Sequence, residues 1–322
     1  MKRKQELLQC LRQAEQCMSG ERLGKQLGVS RMSVCKLVRA LKEDGYDIET
    51  VPNRGYILHP GGDVLETEEV AAHLQTQWMG HVLEVVDSLT STNDYLMQLP
   101  LQQLTHGRTI LARRQTAGRG RHGSTFTSPL EKGIYMSFCL CPDVPLEDVK
   151  LLSLIAGLTV CRLVRGLGVS DACIHYPASV WVGDKKLCGI RSEVMAEAET
   201  MEVERCIIGI GLYVNADAQD WPDGYDCTSL RQETGEVHQR SWLAAEILRQ
   251  YEESYEQLLQ HGSAALCKEY TKYLAEMGQT LHTSRHGAVN ICNVDVHGNL
   301  VGRDSRRRVV RLRMDDVEQG GV

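Results

Sequence analysis

Apolar residues recur at helical spacing through the first 45 residues of the chain, with polar residues between them. The pattern predicts a first helix over residues 2–17, a short helix over residues 21–27 that ends at a glycine, and a third helix over residues 31–43. Ser30 directly precedes the third helix and is placed to cap its amino terminus. Two short strands around a Pro-Asn-Arg-Gly turn then predict a β-hairpin over residues 46–58.

The outward face of the third predicted helix is basic. Helix, glycine-containing turn, helix and hairpin in this order are typical of a winged helix-turn-helix domain, whose second helix of the pair reads DNA. Residues 1–60 carry eleven Lys and Arg against seven Asp and Glu, so they hold about +4 in a chain of net charge −6. A generic three-helix interaction module is the alternative, but the charge division favours DNA. The predicted DNA-binding residues are Ser30, Arg31, Ser33, Lys36, Arg39 and Arg54.

After a Pro-Gly-Gly hinge, strand-like runs and helical patterns alternate. This order predicts an α+β domain in which helices pack on a mixed sheet. From residue 278 the pattern changes to short strands and turns, which predict a small SH3-like β-barrel domain. We therefore predict domains over residues 1–60, 61–277 and 278–322. The predicted strands cover residues 81–89, 108–115, 133–141, 173–182, 186–194 and 205–214, and the predicted helices cover residues 93–98, 146–167, 241–260 and 263–277.

A run of three arginines, Arg306 to Arg308, falls in the last predicted hairpin. A solvated turn is the first interpretation of this run, and a contact with a ligand or partner is the second.

Residues 115–123 (QTAGRGRHG) combine three glycines with two arginines and lead into an apolar strand. Glycines at this density let backbone N–H groups approach a ligand, and arginine offers a fixed fork of donors suited to phosphate or carboxylate. The segment therefore predicts an anion-binding flap that its ligand orders. It is not a Walker A loop, because no Gly-Lys-Ser/Thr follows. On composition alone, a basic glycine-rich surface turn is an equally good interpretation.

Composition narrows the class of protein. Hydrophobic residues make up 42% of the chain and charged residues 24%, as in ordinary globular proteins, and no apolar run is long enough to cross a membrane. The basic start leads into a polar helix instead of the apolar region of a secretion signal, so we expect a cytoplasmic protein. The spacing of the 12 cysteines favours reduced thiols over disulfides or a metal knuckle, and the 11 histidines show no metal-site spacing. The sequence predicts no metal site built by the protein.

Several motifs occur together in one order. They are the winged helix, STND (residues 91–94), QTAGRGR (115–121), SP (128–129), KKLCGI (185–190), GIG (209–211), TSL (228–230) and the small β domain. With them the chain resembles, from about residue 5 to residue 320, the bifunctional biotin–protein ligases that also repress the biotin operon. The flap together with a downstream KKxxGI is specific to that family.

The resemblance implies a two-step reaction that uses ATP, biotin and Mg²⁺. The biotin carboxylate attacks the α-phosphate of ATP to give biotinoyl-AMP, and a lysine of a biotin carboxyl carrier protein then takes the acyl group. The first step joins two anions, so cationic groups must neutralise both and hold them in line. The resemblance also implies that biotinoyl-AMP is a corepressor, and that the protein binds operator DNA as a homodimer.

The resemblance gives individual residues a role. Lys186 matches the catalytic lysine of the family, and Arg119 and Arg121 match its flap arginines over the adenylate. Thr92 and Gln115 match positions that hydrogen-bond biotin. Without the family, Lys186 would be an ordinary lysine at a strand end and Thr92 a helix cap. The implied residues that bind biotin or the adenylate are Ser91, Thr92, Asn93, Gln115, Gly118, Arg119, Gly120, Arg121, Lys186, Gly189, Gly209 and Gly211.

Three stretches depart from the family. Where such ligases carry Lys-Trp-Pro-Asn-Asp, the chain has HYPAS at residues 175–179, so that Ser179 replaces a carboxylate near the metal and nucleotide. The family's Gly-x-Gly-x-Asn ends here in Tyr213, and its tryptophan after the flap is Phe126. These changes leave open a DNA-binding sensor of biotin or a related acyl compound that lacks efficient ligation. A lipoate or octanoyl transferase is a third possibility, which the DNA-binding domain and the motif order disfavour.

Overall fold

The computed structural model describes residues 2–14, 16–43, 45–59, 62–120, 124–129, 131–197, 199, 202–222, 224–312 and 316–317. The chain forms two compact units. One comprises residues 1–64 together with residues 239–241, and the other comprises residues 65–238 and 242–322.

The first unit is a winged helix-turn-helix, as predicted. Ser19 caps the second helix by accepting a hydrogen bond from Arg22 N (3.2 Å), and Gly28 ends that helix in the left-handed region with a φ of 64°. Ser30 caps the third helix by accepting a hydrogen bond from Ser33 N (3.1 Å). The elements are α1 (Lys2–Arg12), α2 (Gly20–Leu27), α3 (Arg31–Glu43), β1 (Ile48–Val51) and β2 (Gly55–Leu58).

The wing is tied to the helices by backbone contacts. Met18 N donates to Tyr56 O (3.0 Å) and Tyr56 N donates to Met18 O (2.9 Å), so the residue before α2 pairs with β2. Gly55 must be a glycine, because its φ is 134° and an added Cβ would overlap the Met18 carbonyl. Leu7, Val34 and other apolar residues of the three helices fill one small core beneath the wing.

The second unit is built on a seven-stranded mixed sheet with the order β3-β4-β5-β9-β8-β7-β6, in which only β3 and β4 are parallel. The fold class predicted from the sequence, α+β with a winged helix ahead of a mixed-sheet domain, is confirmed. The strands and helices are α4 (Thr67–His73), β3 (Leu83–Leu89), α5 (Thr92–Met97), β4 (Thr109–Gln115), β5 (Gly133–Leu140), α6 (Lys150–Gly166), β6 (Ala172–His175), β7 (Ser179–Val182), β8 (Lys185–Ala196), β9 (Val203–Tyr213), α7 (Leu230–Thr234), α8 (Arg240–His261) and α9 (Ala264–Thr271).

Strand β5 is buried on both faces and divides the unit into two layers. Its even-numbered residues pack against α6 and α8; the Phe138 ring, for example, meets the Tyr251 ring edge-on at 4.7 Å. Its odd-numbered residues face the opposite side, where Ser137 and Tyr135 lie beneath α5 and the loop after β4. Helices α6 and α8 thus cover one face of the sheet, whereas α5 covers part of the other face and leaves the rest to polar and aromatic groups.

The carboxyl-terminal region is a four-stranded antiparallel sheet, as expected for a small SH3-like β domain. Its apolar residues, among them Val289 and Leu300, join the core beneath the large sheet. No described helix is both long and apolar enough to cross a membrane. The strands are β10 (Thr280–Thr283), β11 (Gly287–Val294), β12 (Leu300–Asp304) and β13 (Val309–Leu312).

Three predicted elements differ from the structure. The first helix, predicted over residues 2–17, ends at Arg12, and Met18 beyond it pairs with Tyr56 of β2. The strand predicted over residues 173–182 is two strands, β6 and β7, separated by a turn at Pro177, which has no N–H to continue a ladder. The helix predicted over residues 263–277 ends at Thr271, because the chain beyond it pairs with β6. Ile174 N donates to Tyr273 O (2.8 Å), and Ala275 N donates to Ile174 O (2.9 Å).

Candidate active site

Three glycines form the floor of a cavity on the face of the sheet opposite α6 and α8. Gly189 on β8 pairs with Gly211 on β9, and Gly209 pairs with Arg191 two residues along. A Cβ built on Gly189 would come 2.9 Å from the Phe126 ring, and one built on Gly211 would overlap that ring. The missing side chains therefore leave room above the sheet, part of which the Phe126 ring takes.

The start of α5 supplies polar groups along one wall. The Ser91 hydroxyl caps the helix by accepting a hydrogen bond from the backbone N–H three residues later (3.3 Å). Gln115 Oε1 accepts hydrogen bonds from the backbone N–H (2.8 Å) and the hydroxyl (3.2 Å) of Thr92. The buried Ser137 hydroxyl lies 2.7 Å from Thr92 Oγ1 and 2.6 Å from Asn93 Oδ1. These contacts fix the side chains in place, which suits the recognition of a ligand with several polar atoms.

The flap is the segment of residues 116–129, between β4 and β5. Its described part folds back on itself, because Phe126 N donates to Gly118 O (2.9 Å) and Gly120 N donates to Ser124 O (2.7 Å). Gly118 lies beneath the returning chain, where an added Cβ would come 2.5 Å from the Phe126 carbonyl oxygen. The described residues of the predicted flap thus form a turn against the cavity.

Of the two flap arginines, the structure describes Arg119. Arg119 lines the cavity and forms a 3.4 Å ion pair with Asp94, with 58% of the arginine side chain exposed. An ion pair this exposed to water holds the flap weakly. Arg121 lies outside the described residues, so its role over an adenylate stays a prediction.

Lys186 is placed by its backbone at the opposite side of the cavity. Its N–H donates to Asp226 O (2.8 Å) and its carbonyl oxygen accepts from Thr228 N (3.0 Å). These two bonds make a parallel bridge between Lys186 and Cys227, so the start of β8 is held between β7 and the segment before α7. The ammonium group of Lys186 therefore enters the cavity from a fixed backbone.

One cavity brings most of the predicted ligand-binding residues together. Gly118 lies beside it and not in its lining, and Arg121 is not among the described residues. The functional roles of the lining residues stay predictions. Those predicted from the sequence are Ser91, Thr92, Asn93, Gln115, Arg119, Gly120, Lys186, Gly189, Gly209 and Gly211.

The sequence reasoning missed a third cation in the lining. Arg191 follows the KKLCGI motif directly, and its guanidinium donates to Glu193 Oε1 (2.9 Å) and to Gly120 O in the flap (2.7 Å). The strand alternation could have revealed it, because residues 189, 191 and 193 share one face of β8. The other lining residues outside the predicted set are Phe126, Ser179, Ile190 and Ile210.

The predicted DNA-binding residues belong to the first unit and lie at its surface. Arg31, Lys36 and Arg39 on α3 are exposed, and Arg54 is exposed at the turn between β1 and β2. Arg39 forms a 3.1 Å ion pair with Glu43 one turn away on the same helix. The exposed cations of α3 and the wing offer a surface suited to phosphates.

Comparison with known proteins agrees with both units. Residues 3–57 match the model of an HTH domain, and residues 85–212 match the biotin/lipoate A/B protein ligase family. The bifunctional ligase/repressor BirA of Bacillus subtilis (strain 168) is 30% identical over 325 residues, which cover 98% of each chain. The chain belongs to the BirA family of bifunctional ligase/repressors.

Further relatives and a solved structure fit this assignment. The BirA protein of Escherichia coli (strain K12) is 29% identical over 255 residues, covering 79% of this chain and 77% of its own. A biotin protein ligase from Aquifex aeolicus, solved in complex with biotin and ATP, superposes with a TM-score of 0.64 at 22% identity. It covers 73% of this chain and 97% of its own, and shows that the fold is shared.

One departure from the BirA-family motifs noted above keeps a positive charge. His175 Nδ1 lies 3.3 Å from Glu276 Oε1, and the imidazole ring lies 5.2 Å from the ring of Trp181. Hydrogen bonds with Cys173 and with Glu276 raise the pKa of His175 from its ordinary 6.5 to about 9. The imidazole is therefore charged at neutral pH, as a lysine would be.

The other departures leave neutral groups. Ser179 lines the cavity with a hydroxyl that accepts a hydrogen bond from Trp181 Nε1 (3.0 Å). Tyr213 is 2% exposed, and burial raises the pKa of its hydroxyl, so the phenol stays neutral. Neither side chain supplies the charge or the amide that the BirA-family motifs place there.

The part of the chain that the structure describes contains no cluster of side chains that could bind Mg²⁺ without other ligands. No group of three His, Cys, Asp or Glu side chains there converges as metal ligands. Mg²⁺ keeps several waters and binds mainly through substrate phosphates with one or two carboxylates.

Proposed function

We propose that this protein is a biotin–protein ligase that is also a biotin-responsive DNA-binding repressor. The observation that carries the proposal is the convergence of Lys186, Arg119 and the hydrogen-bonded Thr92–Gln115 wall on one cavity in a BirA-family chain. Cations suit two anionic reactants, and a wall of fixed polar groups suits the ureido ring of biotin.

The proposed reaction has two steps. In the first, a carboxylate oxygen of biotin attacks the α-phosphate of ATP, biotinoyl-AMP forms, and pyrophosphate leaves. In the second, a lysine amine of a biotin carboxyl carrier protein attacks the acyl carbon, AMP leaves, and the amine loses a proton. Both steps develop negative charge on oxygen, which cations in a partly closed cavity stabilise.

Individual residues of the cavity and the flap would have distinct roles in this reaction. Lys186 would contact the biotin carboxylate and the α-phosphate and hold them in line. Arg119, with Arg121, would lie over the adenylate and shield it from water. The glycine floor at Gly189 and Gly211 gives the ligand room against the sheet, once the Phe126 ring moves aside. Mg²⁺ would neutralise the phosphates of the incoming ATP.

Homodimerisation on DNA is supported by an open strand edge. Residues 189–196 of β8 pair with β9 on one side, and no described strand pairs with their other side. An unpaired edge of this length can join the same edge of a second copy by two-fold symmetry. A symmetric dimer would set two α3 helices against the halves of a palindromic operator. The operator and the carrier protein would place this work in the cytoplasm.

The activation step can be tested without a carrier protein. We expect biotin-dependent exchange of labelled pyrophosphate into ATP, because biotinoyl-AMP formation is reversible while the adenylate stays bound. No exchange above a biotin-free control would contradict the ligase.

The proposed repressor function is tested by measuring the affinity of the protein for DNA. Biotin and Mg-ATP together are expected to tighten binding to labelled fragments from the regulatory regions of biotin genes. Unchanged affinity would remove the proposed switch.

A sensor without efficient ligation is the second candidate. The neutral side chains of Ser179 and Tyr213, at positions where the family carries a carboxylate and an amide, favour it. The presence of Lys186 in the cavity disfavours it, since a sensor needs no group that neutralises a reacting phosphate. Heat of biotin binding in a calorimeter, together with no pyrophosphate exchange, would select the sensor.

A further inference from the structure

Arg191 joins the floor of the cavity to the flap. Its guanidinium on β8 donates to the carbonyl oxygen of Gly120, 71 positions earlier in the chain, at 2.7 Å. It also donates to Glu193 Oε1 at 2.9 Å, and its side chain is 24% exposed. A hydrogen bond from a charged donor is stronger than a neutral one, more so when partly shielded from water.

The carboxylate that orients Arg191 is itself held. Asn93 Nδ2 donates to Glu193 Oε2 (2.7 Å), and Asn93 Oδ1 lies 2.6 Å from the buried Ser137 hydroxyl. An added Cβ at Gly209 would overlap the Asn93 amide, so the floor is shaped around that side chain. Both oxygens of Glu193 are thus engaged, which fixes the direction in which Arg191 points.

The other end of the flap is attached to the same set of side chains. Gln115 Nε2 donates to Ser128 Oγ (3.1 Å), while Gln115 Oε1 accepts from Thr92. The Thr92 hydroxyl in turn meets Ser137 at 2.7 Å. Contacts at Gly120 and Ser128 therefore hold the flap at two described residues to one hydrogen-bonded network across the cavity.

We propose that Arg191 is a positioning residue that holds the flap closed over the cavity and so retains the reactive acyl-adenylate. The retention part of this proposal rests on the proposed ligase function, whereas flap closure does not. The only other charged contact of the described flap, Arg119 with Asp94, is longer at 3.4 Å and mostly exposed. Arg191 accordingly makes the shorter and less exposed of the two charged contacts of the described flap.

Trypsin tests flap closure in the protein without ligands, because the flap contains Arg119 and Arg121 as cleavage sites. We expect Arg191→Leu to raise the rate of cleavage at these two sites about tenfold, the order expected for loss of one charge-assisted hydrogen bond. Arg191→Lys, which keeps a charged donor, should recover part of the protection. Mass spectrometry of early fragments identifies the cleavage position.

Arg205 supplies the matched control. It lies on the neighbouring strand β9 and donates to another loop carbonyl, Leu104 O, at 2.8 Å, outside the cavity. Arg205→Leu should leave flap cleavage at the wild-type rate. Equal rates of flap cleavage in wild type and Arg191→Leu would overturn the proposal. Equally faster flap cleavage in Arg191→Leu and in the control Arg205→Leu would also overturn it.

A second variant and a second measurement complete the test. If Arg191→Leu does not fold, Glu193→Gln keeps the arginine but removes its orienting charge, and should raise flap cleavage severalfold; no rise would contradict the proposal. In protein that forms biotinoyl-AMP, Arg191→Leu should release the adenylate about tenfold faster, and an unchanged release rate would overturn the retention part. The trypsin assay does not require this protein to be catalytically active. It therefore tests whether Arg191 holds the flap closed even if the ligase function is wrong.

Discussion

The ring of Phe126 in the flap stacks on the ring of Tyr213 at the end of β9, with centroids 5.2 Å apart and planes 8° apart. Trp221 packs edge-on against Tyr213, with ring centroids 4.4 Å apart. Three aromatic rings thus join the flap, the sheet and the loop before α7 at one end of the cavity. A ligand that lies directly over Gly211 must displace Phe126 from this stack.

Truncation of the central ring tests this relationship. We expect Tyr213→Ala to lower the free energy of unfolding by about 3 kcal/mol, because it removes a buried aromatic ring between two others. Urea denaturation measures this effect.

Tyr213→Phe is the control for the ring. It keeps the stack and removes only the hydroxyl, so it should cost about 1 kcal/mol or less. If Tyr213→Phe destabilised the protein as much as Tyr213→Ala, the hydroxyl and not the stack would be the important group.

Lys186 can be tested against its neighbour in the sequence. Lys186→Ala should slow adenylate formation by about 10² to 10³-fold, because it removes a cation from the reacting carboxylate and phosphate. DNA binding by the protein without biotin should be largely unaffected. Lys185→Ala, at an exposed position of the same turn, should keep full activity. Undiminished adenylation by Lys186→Ala would remove this lysine from its proposed role.

Gly209 tests the shape of the cavity floor. Gly209→Ala places a methyl group against the Asn93 amide, so we expect a loss of about 1–3 kcal/mol of stability and weaker biotin binding. Gly166→Ala, at the end of α6 with open space around it, should be neutral or slightly stabilising. Two variants with equal stability would show that the floor tolerates a methyl group.

We expect the protonation of His175 to make the free energy of unfolding depend on pH. Its folded-state pKa of about 9 lies above the ordinary 6.5, so the native state binds the proton more tightly than the unfolded state. The resulting stabilisation is complete below about pH 6.5 and is lost as the pH rises through 9.

The matching variant is His175→Gln. The denaturant midpoint of the wild type should fall more between pH 6 and pH 9.5 than the midpoint of the variant. Parallel curves for the two proteins would show that His175 is not held as an imidazolium.

The local elements could be predicted from the sequence because their signals are local. Ser19, Gly28 and Ser30 lie at helix ends, where capping needs those residue types, and the mostly apolar run of β5 is typical of a strand that is buried on both faces. Only the resemblance to the family's order of motifs indicated that the residues around Thr92 and Lys186 belong to one site. Register then brings them to the same face of the sheet.

The contacts between distant segments could not be predicted. Arg191 meets Gly120, and Phe126 meets Tyr213, only because the flap folds back over two particular strands. No spacing in the sequence encodes that return. The end of α9 was missed for the same reason, since its chain leaves the helix to pair with Ile174.

The measurement that tests the central claim most directly is the intact mass of a biotin carboxyl carrier domain after incubation with the purified protein, biotin and Mg-ATP. A gain equal to one biotin, lost when ATP is omitted, is the result that the ligase function predicts. An unchanged mass, with biotin binding measurable by calorimetry, would contradict the ligase and leave the DNA-binding sensor.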